Sequence, residues 1–196
     1  MATQTGTPIG IEFTETMRGF FSTKVKDDYQ RGFDRGQQEG TPLEFTVTVT
    51  ADDYQRLVDA PEHEARINGA VTAPALSDTP LRVRDGRFQL LVKDPETTST
   101  RRMTYAMPLT ADDGRSFFLE GFKTIHDAQG PTVWSDTTTL FITVSEGDAP
   151  GGPVVGKGIV HIHLADFKKQ LGTMKVLNAP NRIESLRALA RFGGFF

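Results

Sequence analysis

The feature that most constrains this chain is apolar–polar alternation with a period of two, interrupted at short intervals by Asp, Gly and Pro, from Pro42 to Leu164. Successive side chains of a strand point to opposite faces, so each such run buries one face and leaves the other to water. Leu43, Phe45, Val47 and Val49 alternate with Glu44, Thr46, Thr48 and Thr50, and Ala65, Ile67, Gly69 and Val71 continue the pattern. In LRVRDGRFQLLV the Asp85–Gly86 pair predicts a hairpin with a type I′ turn. Met103, Tyr105, Met107 and Leu109 run through the turn Ala111–Gly114 into RSFFLEGFKTIH, apolar on both faces and therefore read as a central strand. Leu140, Ile142 and Val144, then VVGKGIVHIHL, complete a set of about eight strands.

Short turns between successive strands point to a mainly β fold, an antiparallel β-sandwich, because parallel βαβ units need a helix between strands. Residues 1–10 read as a flexible arm, Ile11–Thr16 as a weak edge strand and Ser22–Thr41 as a long surface loop rich in charge, Gln and Gly. Downstream, Asp53 or Asp52 is placed to cap a helical turn, and Asp166 to cap a helix over DFKKQLGTM. NRIESLRALARF carries Ile183, Leu186 and Leu189 or Ala190 on one helical stripe. The expected organisation is an arm over 1–10, a sandwich over 11–178, and an amphipathic helix with a hydrophobic tail over 179–196. Ile183, Leu186, Phe192, Phe195 and Phe196 are expected to dock on a surface outside the chain's own core, through a partner or self-association.

Composition excludes several classes. With 37% hydrophobic and 24% charged residues, the chain is too apolar for disorder and too polar for the bilayer. A net charge of −3 with scattered Lys and Arg argues against nucleic acid as a partner. Without Cys there is neither thiol catalysis nor a disulfide. The N-terminus lacks a leader pattern and no stretch is long and apolar enough for a transmembrane segment, so a cytoplasmic protein is expected.

No nucleophile elbow, P-loop or dinucleotide-binding glycine motif occurs, so no cofactor is expected. His161 and His163 form an H-x-H pair on one strand face, at metal-ligand spacing, with His126 as a third ligand if the fold permits. Alternation with Val160, Ile162 and Leu164 equally puts both histidines on a wet face. Acids at strand ends, such as Asp85, Asp94 and Asp112, have calcium-binding chemistry, but also local turn and cap roles. Phe117, Phe122 and Trp134 are candidates to line a cleft for a sterol, acyl chain or other hydrophobic small molecule.

The segments FTETMRGFFS, LRVRDGRFQLLV, MTYAMPL, FFLEGFKTIHD, WSDTTTLFITV, GKGIVHIHLADFKKQL and LARFGGFF, spanning about Phe13 to Phe196, together resemble an accessory domain of large bacterial cholesterol-oxidase-like flavoproteins of the glucose-methanol-choline oxidoreductase family. The resemblance implies lipid or steroid metabolism and a flavoprotein or hydrolase domain as partner. The family's flavin-binding loop and catalytic histidine have no counterpart here, so it transfers no catalytic residue. The expectation is a non-catalytic accessory or interaction domain. A small lipid- or sterol-binding module and a metal-dependent hydrolase at His161 and His163 stand as alternatives.

Overall fold

Strand β1 (Gly10–Ser22) is the seam of the structure, because it is hydrogen-bonded on both edges. The computed structural model describes residues 7–93, 100–126 and 138–193. On one edge β1 runs antiparallel to β2 (Pro42–Ala51), from Ile11 opposite Ala51 to Phe20 opposite Pro42. From β2 the chain meanders through β3 (Glu64–Thr72), β4 (Leu81–Lys93), β5 (Thr100–Thr110), β6 (Ser116–His126), β7 (Thr139–Glu146) and β8 (Val154–His161). Each of these strands pairs antiparallel with the next, and β8 returns to the other edge of β1 at Arg18–Ser22.

The result is a closed eight-stranded up-and-down barrel with one added strand, β9 (Lys175–Leu177), beside Gly10–Glu12 of β1. The fold is mainly β as expected, but a barrel and not a sandwich. Period-two alternation specifies one buried face per strand in either architecture. Closure is decided by β1, which is a 13-residue strand inside the sheet and not the weak edge strand expected over 11–16.

The Asp85–Gly86 pair makes no hairpin, since β4 continues through it. Asp85 takes φ of 52° and its N–H is accepted by Asn68 Oδ1 at 3.1 Å, beside register shifts between Ile67 and Gly69 and between Val83 and Arg87. The positive-φ capacity read as a turn is used for bulges, which bend strands around a barrel.

The span expected as a long loop holds helix α1 (Tyr29–Glu39). Asp28 accepts the Arg31 N–H at 2.8 Å to start it, and Gly40 ends it in the left-handed conformation. Its fully buried residues are Gly32 and Gly36, with only Tyr29 and Phe33 packing beside them, so the face against the barrel carries a sparse apolar stripe that is easily missed. A Cβ on Gly32 would lie 2.2 Å from the Lys157 carbonyl oxygen, and one on Gly36 2.5 Å from that of Phe21. The helix therefore rests backbone against backbone on β8 and β1.

The lumen is a packed core. Met17, Phe21, Phe45, Ile67, Leu81, Leu90, Tyr105 and Met107 are all fully buried in it. One end is closed by α2 (Tyr54–Asp59) and by a helix here called α4 (Arg182–Gly193), capped by Asn181, whose Oδ1 accepts the Glu184 N–H at 3.0 Å. Tyr54, Leu57, Ala188 and Phe192 join the core there, and Arg191 forks onto Asp59 at 2.8 and 2.9 Å. An aromatic series runs inward from this plug. Phe192 lies 6.3 Å from Phe13, Phe13 lies 6.3 Å from Phe88, and Phe88 meets Tyr105 edge-on at 5.0 Å.

Helix α3 (Leu164–Thr173) closes the side wall between β8 and β9, where β1 has no strand partner on that edge. Thr173 Oγ1 accepts the Thr14 N–H at 2.9 Å, replacing a ladder bond. Asp166 was expected as the cap of this helix. It instead lies inside the first turn, buried, and binds Arg18, which also donates to Glu44 at 2.6 Å.

If α1 is seated through its glycines, Gly32→Val should destabilise the chain by about 1–3 kcal/mol by overpacking. Urea unfolding measures this, and an unchanged midpoint would mean that the helix stands off the barrel.

Candidate functional site

The described residues place one cluster of ionisable groups inside the barrel. Glu15 has the same strand parity as Ile11, Phe13 and Met17, and Lys123 the same parity as Leu119, Gly121 and Ile125, so alternation turns both inward. Their side chains are 4% and 2% exposed, and Lys123 Nζ donates to Glu15 Oε1 at 3.3 Å across the lumen. Tyr105 on β5 donates its hydroxyl to the same oxygen at 2.9 Å. Gln170 of α3 reaches through the wall and donates Nε2 to Glu15 Oε2 at 3.2 Å. Both carboxylate oxygens are thus bonded, whereas Gln170 Oε1 is buried without a protein partner.

Burial pushes the Lys123 ammonium pKa below its ordinary value, with the Glu15 charge and hydrogen bond opposing. The Tyr105 phenol is pushed well above its ordinary range by burial, then by the neighbouring Glu15 charge. Lys123 Nζ also sits 5.2 Å from the centre of the Tyr105 ring. The cluster places a carboxylate and an ammonium in contact inside a lumen that is otherwise filled by side chains. Its evident role is to pin β1, β5, β6 and α3 together at one point. A buried ion pair of this kind contributes less to net stability than its loss would cost, because separation leaves one charge desolvated and unpaired.

A second feature lies on the outside of the barrel. Arg102, Thr104 and Ala106 of β5 form the floor of a cleft of about 480 Å³, flanked by Arg87 and Gln89 of β4 and by Glu120 and Phe122 of β6. Tyr29, the first residue of α1, closes the far side, with its ring 5.7 Å from Phe122 and 5.5 Å from Phe141. Phe122 and Phe141 stack at 5.3 Å, and Arg102 lies over Phe122 at 5.4 Å.

The residues named from sequence are dispersed. Phe117 is buried in the core, whereas Phe122 has the opposite parity and faces the outer cleft, so the two do not line one sterol or acyl-chain cleft. Trp134 lies outside the described residues, as does the side chain of His126. His161 faces outward, half-buried, 3.3 Å from Thr139 Oγ1 and edge-on to Phe33 at 5.9 Å. His163 lies past the end of β8 and is exposed. Among the described residues no three His, Asp or Glu side chains come together as a metal site.

On α4, Ile183 and Leu186 are exposed, as an interaction surface requires, but Phe192 is turned into the core and is 1% exposed. The buried face of this helix is Ala188 and Phe192, so the expected apolar stripe is the outer one. Phe195 and Phe196 lie outside the described residues. Glu15 and Lys123 were not among the residues expected from the sequence, although their strand parity carried the signal. No helix among the described residues is long and apolar enough to cross a membrane.

In comparisons with known proteins, no family model, curated protein or solved structure matches the chain.

Removing one partner of the buried pair, as in Lys123→Met, should cost about 3–5 kcal/mol. The double variant Glu15→Gln, Lys123→Met keeps an oxygen to accept from Tyr105 and offers its NH₂ group to Gln170 Oε1 once that amide is turned over, and should recover most of that loss, as denaturant unfolding of the full cycle will show. A double-variant loss equal to the sum of the two single losses would refute the coupling.

His161 gives a pH dependence. Burial, and secondarily the charge of His163, lowers its folded-state pKa below the ordinary value of 6.5. As pH falls through 6.5 the unfolded chain takes up the proton first, so stability is lost on acidification until the folded-state pKa is passed. His161→Gln should therefore lose less stability than the wild type between neutral and mildly acidic pH, measured by thermal unfolding against pH.

Proposed function

We propose that the chain is a non-catalytic accessory or interaction module that works through the outside of its barrel, with a lipid- or steroid-handling oxidoreductase domain as partner. One observation carries this reading. Among the described residues the large hydrophobic side chains left exposed are Ile183 and Leu186, at 63% and 66%, adjacent on the outer face of α4. The helix beneath them is held firmly, through Ala188 and Phe192 in the core and Arg191 on Asp59. A rigid helix presenting apolar side chains over a polar rim suits a groove on another protein. Arg182 beside the stripe favours a partner whose groove has an acidic edge, while Arg187 is held by Glu184 at 2.6 Å.

The lumen supports the same reading from the other side. An eight-stranded barrel is just wide enough to be filled by side chains or to hold one small ligand, and here Phe21, Phe45, Met17 and Tyr105 occupy it. The partner class rests on the resemblance of the chain to accessory domains of cholesterol-oxidase-like flavoproteins.

Deleting residues 181–196 cannot test the surface, because it would also remove Phe192 and Ala188 from the core. The surface variant Ile183→Glu, Leu186→Glu leaves the core intact. Mixed with a purified cholesterol-oxidase-like flavoprotein and followed by sedimentation velocity, the wild type should co-sediment and the variant should bind at least about tenfold more weakly. Failure of the wild type to associate, or equal association of the variant, would overturn the reading.

A further inference from the structure

We propose that α3 is a panel in the barrel wall that opens as a unit while the barrel stays closed, and so admits water to the buried Glu15–Lys123 pair. The place for a panel is set by strand pairing. Pairing of β8 with β1 stops at Arg18, and pairing of β9 with β1 covers only Gly10–Glu12. Residues 13–17 of β1 therefore have no strand on that edge, and α3 lies against it. Through this gap Gln170 reaches Glu15, an inward-facing side chain that an unbroken ladder would screen from the outside.

The contact is a row of polar latches. Among the described side chains of α3, Asp166, Gln170 and Thr173 bond to β1, and their spacing of four and three puts them on one helix face. Asp166 binds Arg18, Gln170 donates to Glu15 Oε2 at 3.2 Å, and Thr173 Oγ1 accepts the Thr14 N–H at 2.9 Å. Each latch has a replacement once it is released. Arg18 keeps Glu44 at 2.6 Å, and Asp166 keeps Lys169 of its own helix at 3.6 Å. The Thr14 N–H and Glu15 Oε2 can bond to water instead, while Lys123 and Tyr105 still hold Glu15 Oε1.

One group is better served in the open state than in the closed one. Gln170 Oε1 is buried without a protein partner, a desolvation cost that opening removes. The helix has ten residues, too few to persist on its own hydrogen bonds, so release of the latches lets it unwind. Its ends stay anchored, by the Ile162 N–H on the Thr138 carbonyl before it and by β9 after it. The barrel remains closed without the panel, because β1 is still bonded to β2 from Ile11 to Phe20 and to β8 from Arg18 to Ser22.

The test is native-state hydrogen exchange of the full chain at low urea concentrations, followed by NMR. Backbone groups of neighbouring strand residues point to opposite edges, so the Thr14 amide faces α3 whereas those of Phe13, Glu15 and Met17 face β2. Corrected for intrinsic rates, Thr14 should exchange at least about 100-fold faster than these three and with little dependence on urea, while the three follow global unfolding. The Tyr105 hydroxyl, bonded to Glu15, should exchange with the Thr14 opening, as read from the deuterium isotope shift on its ring carbon. Asp166→Asn weakens a latch that is broken in the open and the unfolded chain alike, so it should speed Thr14 and the β2-facing amides by the same factor, about fivefold. Equal protection of Thr14 and its neighbours would overturn the proposal. So would a Thr14 rate that Asp166→Asn leaves unchanged, which would mean fraying of the Thr173 end alone. A Tyr105 hydroxyl that exchanges only on global unfolding would overturn the entry of water.

Discussion

Hydrogen bonding of β1 along both of its edges is the constraint from which the rest of the structure follows. A meander of eight strands left open would expose two edges of unpaired backbone groups. Here Ile11–Phe20 satisfies β2, and Arg18–Ser22 satisfies β8. Between the β8 and β9 pairings the same edge is bonded by a helix, through Thr173 on the Thr14 backbone. Closure then limits the interior. The strand number sets a lumen of side-chain width, and the inward residues fill it with Phe, Met and Leu from opposite walls.

Within that dry interior, Glu15 and Lys123 are tolerable only because each satisfies the other and because Tyr105 and Gln170 complete the carboxylate's bonds. The arrangement draws on four separate elements, so it also acts as a register check. A slip of β1 by one residue would turn Glu15 outward and leave Lys123 in the core without its counter-charge. With the interior committed to packing, the relief lies on the exterior, where α1 and α4 supply the irregular surface that a barrel wall lacks. Tyr29 forms one wall of the cleft, and Ile183 and Leu186 stand clear of the surface.

The candidate sites were legible in unequal degree. Ile183 and Leu186 were readable as an apolar stripe, yet which stripe of α4 is buried depended on Ala188 and Phe192 meeting the barrel mouth. Phe117 and Phe122 looked alike as aromatic residues of one strand, but their odd spacing puts them on opposite faces. The cleft itself joins Tyr29 to residues of β4, β5, β6 and β7 between 58 and 114 positions further along the chain, and no local pattern carries that proximity. Helix α1 escaped because hydrophobic periodicity looks for a full apolar stripe, and the centre of its contact face is Gly32 and Gly36, flanked only by Tyr29 and Phe33, where the absence of a side chain is the packing device.

Local pattern alone determined that the chain is a series of antiparallel strands with a helical tail, because alternation, turn residues and helix caps act over a few neighbouring residues. It also determined which side chains of β2, β5 and β7 face the core. Only the tertiary structure decided that the sheet closes, that Asp85 and Gly86 sit in a bulged strand, and that Lys123 meets Glu15. Closure depends on a pairing between β1 and β8, more than one hundred residues apart, whose free energy resides in the completed ladder and the filled lumen and not in either strand.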